Sequence, residues 1–322
     1  MNVRQLLQEH GLRPHKGLGQ HFLVSEAHLQ RIVEAAELTS DDVVLEIGPG
    51  LGTLTALLAA QAGHVVAVEL DEELIPILQR RLADRSNVTI VHGDILQLRP
   101  SDLVSRFTLH VSRSEATVRQ PETLSPKPGA YKVVANLPYY ITSAVLRHLL
   151  EAESPPHLMV LTMQREVGER LCAAPPHMSL LAVSVQFYAK PELVHRIPAG
   201  AFYPRPKVDS AVVRLRRRPQ PAVAVDDVES FFRIVRAGFG QRRKQLRNAL
   251  AHGLGQPSAE VAASLERAGI EPSRRAQTLT LAEWGQVYQQ LGATNSCPYS
   301  PCPGSATSIT FPKRTSKPSW PS

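Results

Sequence analysis

Asn136-Leu137-Pro138-Tyr139 brings the chemistry-bearing residue types of this sequence to their tightest spacing. An amide carbonyl that accepts hydrogen bonds, a proline that fixes an extended turn and an aromatic face are the parts needed to grip a flat base carrying an exocyclic amine. The combination points to chemistry on adenine or cytosine. Taken alone, the tetrapeptide fits a plain strand-to-helix turn with an exposed tyrosine equally well.

A second constellation lies upstream. Glu46-Ile47-Gly48-Pro49-Gly50-Leu51-Gly52 ends one apolar run and opens a helical one, and glycines there let the chain turn sharply and a ligand approach the backbone. The next apolar run ends in Glu69, followed by Asp71, and an acid at that place can accept both hydroxyls of a ribose. The third run ends in His92-Gly93-Asp94-Ile95, where the Asp can accept from an adenine amine while Ile95 packs on the ring. A nucleoside cofactor follows. Thr53 stands where a dinucleotide fingerprint wants its third glycine, which disfavours an NAD-dependent oxidoreductase.

These residues need a scaffold that gathers them. Short Val/Ile/Leu runs at 43–47, 65–69, 88–91, 131–135 and 158–163 alternate with helical stretches at 51–62, 72–83, 142–151 and 165–173. That alternation predicts an α/β, doubly wound fold whose parallel sheet is covered on both faces. Ligands of such sheets bind at the carboxyl ends of the strands, so one crevice would collect the Gly-rich turn, Glu69, Asp94 and Asn136. Further on, 182–189 and 210–217 read as two strands of an antiparallel edge joined by a Pro-rich connection. From Asp226 the texture predicts helices at 226–239, 241–252, 258–268 and 280–291, with Gly253 and Gly292 as stops and Ser258 and Thr280 as starts. The interval 99–130 reads as a projecting loop and 295–322 as a disordered Pro/Ser/Thr-rich tail.

With 322 residues, 43% of them hydrophobic, the chain can bury a large and a smaller domain. No apolar run approaches the roughly 18 to 20 residues of a membrane span, and the polar start does not read as a secretory signal, so a cytoplasmic protein is expected. Cys172, Cys297 and Cys302 form no complete disulfide set, and no His/Cys spacing resembles a metal site. The net charge is +7. Between Lys190 and His252 fourteen Lys and Arg face five Asp and Glu, a local excess that suits a polyanion.

The motifs Glu-Ile-Gly-Pro-Gly-Leu-Gly-Thr-Leu-Thr, Gly93-Asp94 and Asn-Leu-Pro-Tyr resemble those of class I S-adenosylmethionine-dependent methyltransferases. More narrowly, the chain resembles the small-subunit ribosomal RNA adenine dimethyltransferases over about residues 10–292. Lys16-Gly17-Leu18-Gly19-Gln20-His21-Phe22-Leu23 is similar to that family's N-terminal cofactor lid, although the family has Asn where His21 stands. Phe202-Tyr203-Pro204-Arg205-Pro206-Lys207-Val208-Asp209-Ser210-Ala211-Val212 is similar to its Phe-x-Pro-x-Pro-Lys-Val signature, and Phe239 to Asn248 to its basic Phe-x-x-Arg-Arg-Lys-x-Leu-x-Asn stretch.

The resemblance implies a Rossmann-like domain over 1–220 with a mainly parallel seven-stranded sheet and a lid near 10–40, then an α-helical RNA-binding domain over 221–293. It implies S-adenosyl-L-methionine held by His21, Leu23, Gly48, Gly50, Glu69, Asp94, Ile95 and Asn136, and no metal. The Asn136 side-chain carbonyl and the Pro138 backbone carbonyl would accept the two amine protons and aim the nitrogen lone pair at the sulfonium methyl. Positioning then supplies most of the catalysis and no tuned general base is required. Tyr139 would stack on the base, with Phe202 as a second aromatic face. Arg242, Arg243 and Lys244, with Arg214-Leu215-Arg216-Arg217-Arg218, would hold the RNA backbone. The implied product is N6,N6-dimethyladenosine at two adjacent adenosines near the 3′ end of small-subunit rRNA, made on the rRNA or on a 30S subunit precursor by a monomer with no DNA partner. A non-catalytic RNA-binding assembly factor that keeps the fold stands as the alternative.

Overall fold

A computed structural model describes residues 3–111 and 131–292. The chain divides into two units, one of residues 1–172 and 188–220, the other of 173–187 and 221–322.

Among the described residues the first unit has nine strands: β1 (Phe22–Leu23), β2 (Val43–Ile47), β3 (His64–Glu69), β4 (Val88–His92), β5 (Lys132–Asn136), β6 (Leu158–Gln164), β7 (Ala189–Ile197), β8 (Phe202–Tyr203) and β9 (Ser210–Arg217). Seven of them form one sheet in the order β4-β3-β2-β5-β6-β9-β7, and the other two pair as β1-β8. β2 lies parallel between β3 and β5, whereas β9 runs antiparallel to both β6 and β7. The chain therefore winds outward from β2 through β3 and β4, then returns to β5. The carboxyl ends of β2 and β5 flank that reversal, where open α/β sheets bind their ligands.

The interior strands are buried on both faces, as their unbroken Val/Ile/Leu composition requires. Charged residues are buried among them, Glu46 in β2, Glu69 at the end of β3 and Lys132 at the start of β5. The Lys132 Nζ donates to the Glu37 carbonyl at 2.6 Å and to Asp42 Oδ2 at 2.8 Å, so the buried ammonium is paired and hydrogen-bonded.

The strand and loop expectations need correction. The apolar run expected as a strand at 182–189 is a helix, Leu180–Tyr188, buried nearly all round. The antiparallel edge instead begins at Ala189, in β7, where Pro191 is tolerated because β7 closes the sheet. The expected loop from 99 begins as a helix, Pro100–Val111; residues 112–130 of that interval lie outside the described residues, as do the tail at 295–322 and Cys297 and Cys302.

In the second unit, helices Val228–Phe239, Leu246–Leu254, Ser258–Arg267 and Leu281–Gly292 enclose a core in which the Phe187 ring lies 5.0 Å from Phe231 and 5.2 Å from Phe232. Asp227 caps the first helix by accepting from the N–H groups of Glu229 and Ser230. Thr280 and Glu283 exchange bonds in a capping box that starts the last. Residues 241–245 form a turn rather than the start of a helix, and Gly253 lies inside the second helix; its stop is Gly255, whose φ is 68°.

Candidate active site

The turn after β2 is shaped by glycines in the left-handed region, with φ of 68° at Gly48 and 59° at Gly50. A Cβ on Gly48 would meet no protein atom within 4 Å, whereas one on Gly50 would lie 3.0 Å from the Phe22 ring. The first glycine therefore leaves open space beside the backbone, and the second lets β1 close over the turn.

Glu69, at the end of β3, is held by main-chain donors. Its Oε2 accepts from Gly50 N–H at 2.9 Å, and its Oε1 from the N–H groups of Leu70 and Asp71 at 3.0 Å. Burial raises this carboxyl above the usual range, against the lowering effect of those bonds. Asp94 accepts from Leu96 N–H at 2.9 Å through Oδ1, and Ile95 beside it is buried.

At the end of β5, Asn136 Nδ2 donates to the His21 carbonyl at 3.0 Å, which leaves Oδ1 as the amide's acceptor. The Pro138 carbonyl accepts from Ile141 N–H at 3.2 Å in a single 3-10 turn and keeps its second lone pair. The Tyr139 ring stacks on the His21 ring with centroids 5.8 Å apart, and its hydroxyl shares a 2.7 Å hydrogen bond with Ser210 Oγ.

One cavity is lined by His21, Leu23, Gly48, Gly50, Glu69, Asp94, Ile95, Asn136, Pro138 and Tyr139. Every residue expected to touch the donor, and the three expected to act on the base, thus face the same space. Phe202 does not line it. It is 4% exposed and packs in the core with Leu23 and Leu29, because β8 pairs with β1 and turns the ring inward. Arg214 and Arg216 also differ from the RNA contact expected of them. Arg214 pairs with Glu37 at 2.6 Å and Glu192 at 2.7 Å, and Arg216 also binds Glu37, so both guanidinium groups are engaged within the first unit. Arg242, Arg243 and Lys244 lie exposed in the second unit's turn.

The sequence reading assigned no role to three lining residues. Gln20 Nε2 donates to Asp71 Oδ2 at 2.5 Å, tying the segment before β1 to the end of β3 across 51 positions that no local pattern connects. Tyr140, 61% exposed, sits at the wall of the cavity, where a Cβ on Gly19 would lie 3.3 Å from its ring. Glu46 is buried within β2, and its Oε2 has no hydrogen-bond partner. Burial holds its carboxyl up at about 8, the Thr55 hydroxyl opposing the rise and the Glu69 charge adding to it.

A mainly parallel seven-stranded sheet with an antiparallel β9 beside β6, a glycine turn after β2 and a polar cluster at the switch point define a class I methyltransferase. The family model for ribosomal RNA adenine dimethylase matches residues 11–291, and the chain belongs to that family. It is 47% identical over 283 residues to ribosomal RNA small subunit methyltransferase A of Dehalococcoides mccartyi strain 195, covering 88% of this chain and 90% of that one. With the protein of the same name from Moorella thermoacetica it shares 44% identity, covering 89% and 95%. Among solved structures, the 23S rRNA methyltransferase ErmE superposes with a TM-score of 0.64 at 28% identity, covering 84% of this chain and 99% of that one. A dimethyladenosine transferase from Plasmodium falciparum superposes with a TM-score of 0.66 at 21% identity, covering 85% and 98%, and shares the fold.

Proposed function

We propose that this chain transfers methyl groups from S-adenosyl-L-methionine to the N6 amines of two adjacent adenosines near the 3′ end of small-subunit rRNA. The observation that carries the reading is the Asn136 amide, whose donor end is occupied by the His21 carbonyl so that its acceptor end is left for a substrate amine. Relatives at 43% to 47% identity bear the small-subunit name, whereas ErmE, named for 23S rRNA, stands at 28%.

The residues present fit the donor. The Gly48 turn offers backbone with no Cβ in the way, Glu69 and Asp94 offer carboxylate acceptors for hydroxyl and amine protons, and the orphaned Glu46 Oε2 suits a cationic group. When bound, the donor supplies an electrophilic methyl on a sulfonium. The chain's own part is positional. Asn136 Oδ1 and the free lone pair of the Pro138 carbonyl accept the amine protons, favouring a tetrahedral nitrogen whose lone pair points at the methyl. Tyr139 supplies the stacking face, and the exposed Arg242, Arg243 and Lys244 of the helical unit supply phosphate contacts.

A cytoplasmic monomer acting on a 30S precursor completes the reading; no helix among the described residues is long and apolar enough to cross a membrane. Incubating the protein with methyl-labelled S-adenosylmethionine and under-methylated small subunits, then digesting part of the RNA to nucleosides and mapping the modified positions in the rest, tests it. The expected result is label in dimethyladenosine at adjacent positions. Donor binding with no label in adenosine would favour the non-catalytic assembly factor.

A further inference from the structure

We propose that Tyr140 is a stacking platform for the base next to the reacting adenosine, a subsite at the mouth of the cavity distinct from the place of the reacting base itself. The inference rests on the reading that adenosines of ribosomal RNA are the substrate, and it deepens that reading by saying how the flanking nucleotide is held.

Tyr139 and Tyr140 are consecutive in one 3-10 turn, Tyr139–Ile141. Three residues per turn set successive side chains about 120° apart, so two aromatic rings fan out from one point of the backbone. They meet different surroundings. The Tyr139 ring lies against His21 and is tied through its hydroxyl to Ser210. The Tyr140 ring is the most exposed large apolar side chain among the described residues, and it still lines the cavity. Its edge adjoins Gly19, whose φ is 59°: a Cβ there would lie 3.3 and 3.4 Å from two ring carbons and 3.6 Å from Pro138 Cβ. Gly19, Pro138 and Tyr140 thus share one corner of the wall, beside the carbonyl offered to the substrate amine.

Sheet order separates this corner from the donor's nucleoside. Tyr140 follows β5, which stands two strands from the β3 of Glu69 and three from β4, the strand before Asp94. At the usual strand spacing that is about 10 to 14 Å. The chemistry of base extrusion then selects the occupant. An adenine that enters the cavity leaves its former stacking neighbour with a bare face. A water-exposed phenol ring at the entrance offers a replacement, and such stacking accepts any base because each has a π surface. Gly19 and Pro138 bring no charge to the corner, so a flat neutral ring fits there better than a phosphate. With two adjacent targets, the base that waits on Tyr140 while its neighbour reacts is the other adenosine.

The test measures kcat and KM for under-methylated small subunits with the full chain and methyl-labelled S-adenosylmethionine, in Tyr140→Ala, Tyr140→Phe and Tyr140→Leu. Calorimetric donor titrations of each variant run alongside. Tyr140→Ala is expected to raise KM for the subunit about ten- to a hundredfold with little change in kcat, because a flanking base is held equally before and during transfer. Its donor affinity is expected to match that of the wild type. Tyr140→Phe keeps the ring and the wild-type KM, whereas Tyr140→Leu keeps apolar bulk without a π face and stays close to the alanine variant. A wild-type KM in Tyr140→Ala overturns the proposal, as does a leucine variant that restores KM as fully as phenylalanine. Weakened donor binding in Tyr140→Ala with KM for the subunit unchanged overturns it too, by assigning the ring to closure over the donor. Wild-type protein that leaves the subunits unlabelled removes the underlying reading, and this proposal with it.

Discussion

The Asn136 side-chain amide donates to the main chain just before β1, Nδ2 to the His21 carbonyl at 3.0 Å, and the His21 ring donates from Nδ1 to the Pro204 carbonyl at 2.7 Å. The Asn136 amide is therefore oriented by the chain at the start of β1, which is itself anchored to the turn after β8. Because the contact uses a carbonyl, the side chain at position 21 is not what orients Asn136. Asn136→Asp removes the donor and sets a carboxylate oxygen against that carbonyl. Transfer in single-turnover assays with labelled donor is expected to fall by about 10² to 10³, the usual loss when one preorganised polar group is removed. Transfer within tenfold of the wild-type rate would contradict the assigned role.

Gly48 and Gly50 share a backbone conformation but face different neighbours, so alanine separates their roles. Both variants carry roughly 1 to 2 kcal/mol of left-handed strain. In Gly48→Ala the new methyl enters the open cavity, so donor affinity is expected to fall at least about tenfold, or 1.4 kcal/mol, with a modest drop in Tm. In Gly50→Ala it meets the Phe22 ring at 3.0 Å and must push β1 away, so Tm falls further. Calorimetric donor titrations and thermal melts of both variants decide it. A Gly48→Ala protein with wild-type donor affinity would place the donor elsewhere.

The central sheet was legible because β2, β3, β5 and β6 are buried on both faces and read as continuous branched apolar runs. The same logic misread Leu180–Tyr188, a helix so thoroughly buried that it shows no polar stripe, and passed over β7, whose Lys190, Pro191 and Glu192 suit only a sheet edge. The candidate residues at strand ends that line one cavity were visible because motif and strand coincide there. Phe202 was not, since a two-residue strand pairing Phe202 with Leu23 depends on chain segments about 180 positions apart. Gln20 and Asp71 meet for the same long-range reason.

Tyr139 bonds Ser210 through its hydroxyl and, in the proposed function, offers its ring to the base, and two substitutions separate these parts. Burial raises its phenol above the ordinary tyrosine range, so the hydroxyl stays protonated at neutral pH and its removal changes no charge. Tyr139→Phe keeps the ring and strands the buried Ser210 hydroxyl, a cost on the order of 1 to 3 kcal/mol in stability, with RNA methylation largely kept. Tyr139→Ala loses the stacking face, worth about 1 to 3 kcal/mol per base, and kcat/KM for RNA is expected to fall by about ten- to a hundredfold. Equal kcat/KM for the alanine variant and wild type would remove Tyr139 from base recognition.

Glu46 makes the stability of the protein depend on pH in a direction opposite to that of a salt-bridged acid. Its carboxyl titrates near 4.5 when exposed and at about 8 when folded. Below 4.5 both states hold the proton. Between 4.5 and 8 only the folded state does, so stability falls as pH rises, and above 8 the loss is complete at a few kcal/mol. Glu46→Gln cannot titrate. The Tm advantage of Glu46→Gln over wild type is therefore expected to grow from pH 4.5 to 8 and then level off; a difference that stays flat across that window would mean the carboxyl is not held neutral. The same proton reports on the donor. A cation brought beside Glu46 favours the carboxylate, so S-adenosylmethionine binding near pH 7 is expected to release a proton. That release appears as a calorimetric enthalpy that changes with the ionisation enthalpy of the buffer, and it is expected to be lost in Glu46→Gln. A donor enthalpy independent of buffer in the wild type would show that the cationic end of the donor lies away from this buried acid.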